Sequence, residues 1–245
     1  MNFDFDTIAP LAFIIVFAYT VFGLTGFGSS ITAMPLLVQV VPLRMAVPLM
    51  LVFDLTSSIL LGLKNRRAIE RREVLRILPF MLAGMALGVV TLVRAPERIL
   101  MLVLGIAILC YSAWSLLRRA PPQPFRAGWA APFGTIGGFF TATFGAGGPF
   151  YTIYLARRVA DKLALRATIG GVLFVSALAR LVLFSGAGLY GQPDLLRLAA
   201  TLFPFAMGGL YLGNRLHAYL PAARVIQAIW VVLIASGVSL IVRNI

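Results

Sequence analysis

The sequence predicts an all-α integral membrane protein built from two inverted repeats, each a broken or re-entrant Gly-rich helix pair followed by three transmembrane helices. Three observations predict it. Apolar runs of spanning length fill the chain, clusters of Gly, Ser, Thr and Pro interrupt them at matching places, and the basic residues gather in alternate loops. The 245 residues are 60% hydrophobic and 12% charged, about half the charge of a soluble domain, and mean hydropathy is +0.96. Several runs approach the ~20 residues that a spanning helix needs. The acidic start MNFDFD has neither a basic n-region nor a small-residue cleavage site, so no cleavable signal peptide is expected.

The apolar stretches cover residues 10–41, 45–63, 74–93, 99–117, 129–155, 167–187, 195–212 and 225–242. Between the fourth and fifth lies RRAPPQPFR, a proline-rich basic linker. The expected organisation is a first transmembrane repeat at 1–117, a cytoplasmic linker at 118–128 and a second repeat at 129–245. The halves align. One offset pairs Phe22 with Phe139, Phe27 with Phe144 and Gly28 with Gly145. Another pairs Pro79 with Pro204, Phe80 with Phe205, Gly84 with Gly209, Gly88 with Gly213 and Pro96 with Pro221, so LPFMLAGMALG matches FPFAMGGLYLG without a gap. Internal duplication of this kind is how many secondary transporters are built.

Loop charge sets the orientation. Loop 64–76 holds six Lys and Arg, the linker three, 157–166 four and 215–224 two, while 41–46, 94–98 and 186–194 hold one, two and none. Placing the first four inside gives fifteen positive residues against three, which satisfies the positive-inside rule. Each Gly-rich segment must then leave and return on the same side. A 32-residue stretch (10–41) is about 48 Å of helix at 1.5 Å per residue, too short for two spans of ~30 Å. Each segment is therefore read as two short or re-entrant helices meeting at a break, which inverts the halves and leaves the N-terminus outside. Since the +13 net charge is spent on orientation loops, no nucleic acid partner is expected. Membrane lipid is, and the sequence leaves a homodimer open.

The breaks GLTGFGSSITAMP (23–35) and FFTATFGAGGP (139–149) are the expected substrate site. Irregular backbone at membrane depth is tolerated only where protein covers it or it lines a cavity. Gly26, Gly28, Gly145, Gly147 and Gly148 let backbone N–H groups approach a ligand, and a helix beginning there presents donors and a positive dipole end to an anion. Thr25, Ser29, Ser30 and Thr143 add hydroxyls, Phe27, Phe144 and Ala146 complete the two clusters, and Pro35 and Pro149 follow them. Small residues at such positions also serve plain helix packing. No Walker lysine follows either cluster.

Two charges lie within apolar runs, Asp54 and Arg180. At ~2.5–3.5 kcal/mol or more each in a membrane, they should face protein or water. Arg180 can attract an anion, its planar fork matching sulfite, sulfonate or carboxylate oxygens; Asp54 can hold Arg180 or exchange a coupling proton; or the two form a structural pair. His217 reads as a solvated loop residue, Cys110 as core filler, and Tyr111, Trp114 and Trp129 as interfacial anchors. KNRRAIERRE reads as an orientation signal in contact with lipid phosphate. No nucleophile–base pair or His/Cys/Glu cluster is visible, so no enzyme, metal or cofactor is expected.

The two Gly-rich hairpins, GLTGFGSSITAMPLL and TFGAGGPFYTIYL, with P-x4-G-x3-G in each half, resemble the TauE/SafE sulfite exporter family, also called the toluene sulfonate uptake permeases. The resemblance covers nearly the whole chain. It departs from the family's G-x-G-G-G-plus-proline pattern in the serines of the first cluster and the early proline of the second, and Arg180 stands in a segment that is usually neutral in the family. The resemblance implies transport of small sulfur-containing or organic anions across the bacterial inner membrane. A potential of ~100 mV, negative inside, favours expelling each negative charge by ~2.3 kcal/mol, so export is the expected direction. Proton-coupled uptake of an organic acid or sulfonate, an anion channel and a structural subunit are the alternatives.

Overall fold

The computed structural model describes residues 5–25, 28–62, 67–117, 124–191, 193–216 and 222–244. They form ten α-helices in the expected order, a pair around a Gly-rich break and then three helices of 20 to 25 residues in each half. The first half comprises α1 (Phe5–Thr25), α2 (Ser29–Leu37), α3 (Leu43–Gly62), α4 (Arg71–Arg94) and α5 (Glu97–Leu117). The second comprises α6 (Ala130–Phe144), α7 (Gly148–Leu155), α8 (Lys162–Gly186), α9 (Pro193–Leu216) and α10 (Ala222–Asn244). Among the described residues, four stretches are long and apolar enough to cross a membrane: Thr7–Leu24, Arg71–Arg94, Lys162–Gly186 and Asp194–Leu216. The protein is an all-α, multi-pass membrane protein.

Helix α1 begins at Phe5, ahead of the apolar run that starts at Pro10, and holds Pro10 inside it at the cost of one intrahelical bond. Its 21 residues extend about 31 Å, whereas α2, α6 and α7 have 9, 15 and 8 residues.

The chain divides into two compact units that cut across its halves. Residues 1–49, 94–120 and 192–245 form one, and 50–93 with 121–191 the other. In the first unit α1 lies along α9 and α5 along α10. Glycine lets the first pair approach closely. A Cβ at Gly209 would stand 2.5 Å from the Val16 carbonyl oxygen, one at Gly23 2.7 Å from that of Leu210, and one at Gly213 would overlap the Thr20 carbonyl. Small residues at a membrane helix interface bring backbones together in this way. The α3 start is tied to the α5 start, with the Leu43 amide donating to the Glu97 carboxylate and Arg44 Nη2 to the Ala95 carbonyl at 3.1 Å.

The second unit repeats the device with other helices. Cβ atoms at Gly84 and Gly138 would overlap the Thr135 and Met81 carbonyls, so α4 lies directly on α6. The P-x4-G-x3-G helix of each half therefore packs on the long broken helix of the other half: α4 on α6, and α9 on α1.

At one end of the second unit the chain before α6 and the chain after α7 meet. The Phe125 amide donates to the Arg157 carbonyl at 3.3 Å and Arg158 Nη1 to the Phe125 carbonyl at 3.0 Å. The Arg157 guanidinium lies 4.1 Å over the Phe125 ring, which stacks on Trp129. The pair α6–α7 thus leaves and returns at the same end. Glu73, in the first turn of α4, joins this cluster, accepting from Arg76, from Arg158 Nη2 at 2.8 Å and from the Tyr154 hydroxyl at 2.8 Å. Three segments whose charge put them on one side of the membrane lie together here. Cys110, expected as core filler, is exposed on α5. In a membrane chain an apolar neighbourhood can face lipid as readily as a core. His217 lies outside the described residues.

Candidate functional site

In the second unit the α6–α7 break is built from Gly145 to Gly148. Gly145 closes α6 with φ +68°, in the left-handed region where a side chain is strained. Its amide donates to the Thr141 carbonyl at 2.9 Å, and the Ala146 amide to the Phe140 carbonyl at 3.2 Å. Gly147 admits no side chain, because a Cβ would overlap both the Thr141 hydroxyl and the Gly137 carbonyl. The Thr141 hydroxyl in turn stands 3.0 Å from the Tyr151 hydroxyl, so α7 is pinned to α6 just beside the break. Gly148 opens α7; the Gly147 carbonyl accepts from the Phe150 amide at 3.1 Å and Pro149 has no N–H, so the first turn offers the Gly148 amide as its donor. Thr143 is turned elsewhere and donates to the Gly88 carbonyl of α4 at 3.2 Å. Phe144 is fully buried.

The intramembrane charges lie in the same unit and face each other. Arg180, 3% exposed, holds Nη2 at 3.6 Å from Oδ2 of Asp54, 8% exposed. That is an ion pair longer than a hydrogen bond. Arg180 Nε and Nη1 are buried with no hydrogen-bond partner among the described residues. A guanidinium carries five N–H donors and stays charged, and leaving such donors buried and unmet is costly. On α8, Leu173 abuts Gly148. Arg180 follows two turns later on the same helix, about 10 Å along it. Tyr151 and Tyr190 are both near enough for Arg180's charge to act on their hydroxyls. Burial pushes the Tyr190 phenol up to about 12, with Arg180 opposing, so it remains a neutral donor at physiological pH. Its hydroxyl, too, is buried without a partner.

The first unit holds the other break. Gly28 precedes α2 at φ +94° and its carbonyl accepts from the Thr32 amide at 3.1 Å. Ser29 and Ser30 form the buried first turn of α2. Thr32 follows with a buried hydroxyl that has no hydrogen-bond partner among the described residues. Thr25 ends α1, while Gly26 and Phe27 lie outside the described residues.

The model of the sulfite exporter TauE/SafE family matches residues 11–240. The chain belongs to that family. It is also 31% identical over 195 residues, covering 78% of this chain and 81% of the relative, to the probable inner membrane transporter protein TsaS of Comamonas testosteroni. No solved structure matches it.

In this TauE/SafE protein the second cluster, Asp54 and Arg180 thus share one unit, and the first cluster belongs to the other. Sequence reasoning missed Thr141, Tyr151 and Thr32 as polar groups near the breaks, and Tyr190 near Arg180. A usable signal existed for one of them. Tyr151 and Tyr154 stand three apart in the otherwise apolar FYTIYL, which puts two polar-tipped rings on one helix face, and both are fully buried.

Proposed function

We propose that this TauE/SafE protein is a secondary transporter of the bacterial inner membrane that carries a small oxyanion, sulfite, a sulfonate or a related organic anion, outward. The anion is held in the second unit by Arg180 and by the Gly148 amide where α7 begins, and the α1–α2 break offers the same backbone chemistry in the first unit. One observation carries this reading: a guanidinium with two nitrogens buried and unmet, its counter-charge only loosely engaged at 3.6 Å. An oxyanion supplies both the charge and the acceptors that this group lacks. Family membership and the relative's description as an inner membrane transporter point the same way. Export fits a potential that expels negative charge.

The test is reconstitution in liposomes, with substrate-induced currents recorded for sulfite, thiosulfate, taurine, aryl sulfonates and lactate. Saturable current with one of these, abolished in Arg180→Ala, is expected. Unchanged current in that variant removes Arg180 from the site. Because Asp54 faces Arg180, proton-coupled uptake is the second reading. It requires inward flux that follows an imposed proton gradient in the wild type and loses that dependence in Asp54→Asn.

A further inference from the structure

The anion reading makes no use of a groove between the start of α4 and the middle of α8. Its volume is about 260 Å³, and its walls are Ile69, Val74, Leu75, Gly171, Phe174 and, at the rim, Val175, with Arg71 the one charged residue. Gly171 forms its floor, a Cβ there meeting only Ile69 at 3.4 Å. Leu75 is 66% exposed, so the groove opens sideways along two helices of membrane-spanning length. One end is closed where the Glu70 amide donates to the Thr168 hydroxyl at 3.0 Å. Arg67, Arg71 and Arg72 are exposed at that end, with Lys162 and Arg166 exposed on the first turns of α8, five basic residues against the exposed carboxylates of Glu70 and Asp161.

We propose that this groove binds an anionic phospholipid, with one acyl chain along Val74, Gly171 and Phe174 and the phosphate at Arg71. The occupant follows from the arrangement. An apolar slot that opens toward the bilayer is filled from the bilayer, and a cluster of arginines at one end selects the negatively charged headgroup. A water-soluble anion would have no use for the apolar length, and an uncharged lipid none for the arginines. Loop 64–76 thereby acquires a second task beside orientation.

The test uses the purified full-length protein, stripped of lipid and titrated with phosphatidylglycerol or with phosphatidylcholine of the same chains, bound lipid being counted by native mass spectrometry. Phosphatidylglycerol should be retained at concentrations about tenfold lower than phosphatidylcholine. Gly171→Leu, which fills the floor, should lose this binding, and Val175→Trp, which fills the groove from its rim, serves if the first variant does not fold. Arg71→Gln should bring the two lipids level. Free glycerol phosphate should not compete; competition would mark a phosphate site without a chain slot and overturn the proposal. Equal retention of both lipids by the wild type, or undiminished phosphatidylglycerol in a folded groove-filled variant, overturns it as well.

Discussion

Replacing Gly209 with alanine should loosen the packing of α1 on α9, whereas the same change at Gly208, its neighbour in the chain, should stabilise the protein. Alanine is worth ~1 kcal/mol more than glycine inside a helix, and both variants gain that increment. They differ in what the new methyl meets. At Gly208 nothing lies within 4 Å. At Gly209 the Cβ would stand 2.5 Å from the Val16 carbonyl oxygen and 3.0 Å from its Cα. Both are backbone atoms, so no side-chain rotation relieves the contact and the helices must part by about 0.9 Å, a gap that forfeits a quarter to a half of the local attraction. Overpacking of this kind costs about 1–3 kcal/mol. The propensity increment cancels in the comparison, so the difference between the variants isolates the packing cost. For a chain of this size 1 kcal/mol shifts Tm by about 2–4 °C, so the variants should melt roughly 6–12 °C apart if the upper cost applies. Thermal unfolding of both, purified in one detergent and followed by circular dichroism, measures it. Equal melting temperatures would refute the reasoning, because the interface would then be shown to yield at no cost.

Asp54→Asn leaves Arg180 buried without a counter-charge and should cost about 3–5 kcal/mol; adding Arg180→Met should recover most of it, and a double variant no more stable than Asp54→Asn would show the pair uncoupled. Glu73→Gln removes the charge that Arg76, Arg158 and Tyr154 share, and should cost about 2 kcal/mol in thermal melts; an unchanged melt would mean that these contacts are replaced by water. Gly28→Ala meets no atom nearer than Ile31 Cγ2 at 3.6 Å, so its cost is conformational alone, about 1–2 kcal/mol, with Gly28→Asn milder on the same melting assay. A loss well beyond that range in Gly28→Ala would point to a clash not present in the native geometry.

The offset pairing Pro79, Gly84 and Gly88 with Pro204, Gly209 and Gly213 was legible because both helices need bare backbone on one face, and they use it alike. Which helix each would meet was not legible, since a glycine stripe specifies close approach and no partner. Asp54 and Arg180 stood out because charge is conspicuous in an apolar run. Glu73 was hidden for the opposite reason. It lies in a stretch crowded with arginine, where a carboxylate reads as solvated, yet α4 already begins at Arg71 and turns Glu73 inward, 7% exposed. Thr32, Thr141 and Tyr151 have side chains small or apolar enough to pass as packing, and only the fold buries the Thr32 hydroxyl and brings those of Thr141 and Tyr151 together beside Gly147. Cys110 illustrates the limit of hydropathy in lipid, where the outside is as apolar as the inside.

The pairing of α1 with α9 also bears on how the chain is made. At synthesis rates of ~5–20 residues per second, α9 leaves the ribosome on the order of 10–40 s after α1. Throughout that interval the face of α1 that carries Val16, Thr20 and Gly23 has no native partner, so the insertion machinery, lipid or a non-native helix must cover it. Helix α6, by contrast, finds α4 already in the membrane. The second unit can therefore close before translation ends, and the first closes only when the C-terminal helices arrive. A ribosome stalled within α9 would leave the membrane holding one finished unit and one open one.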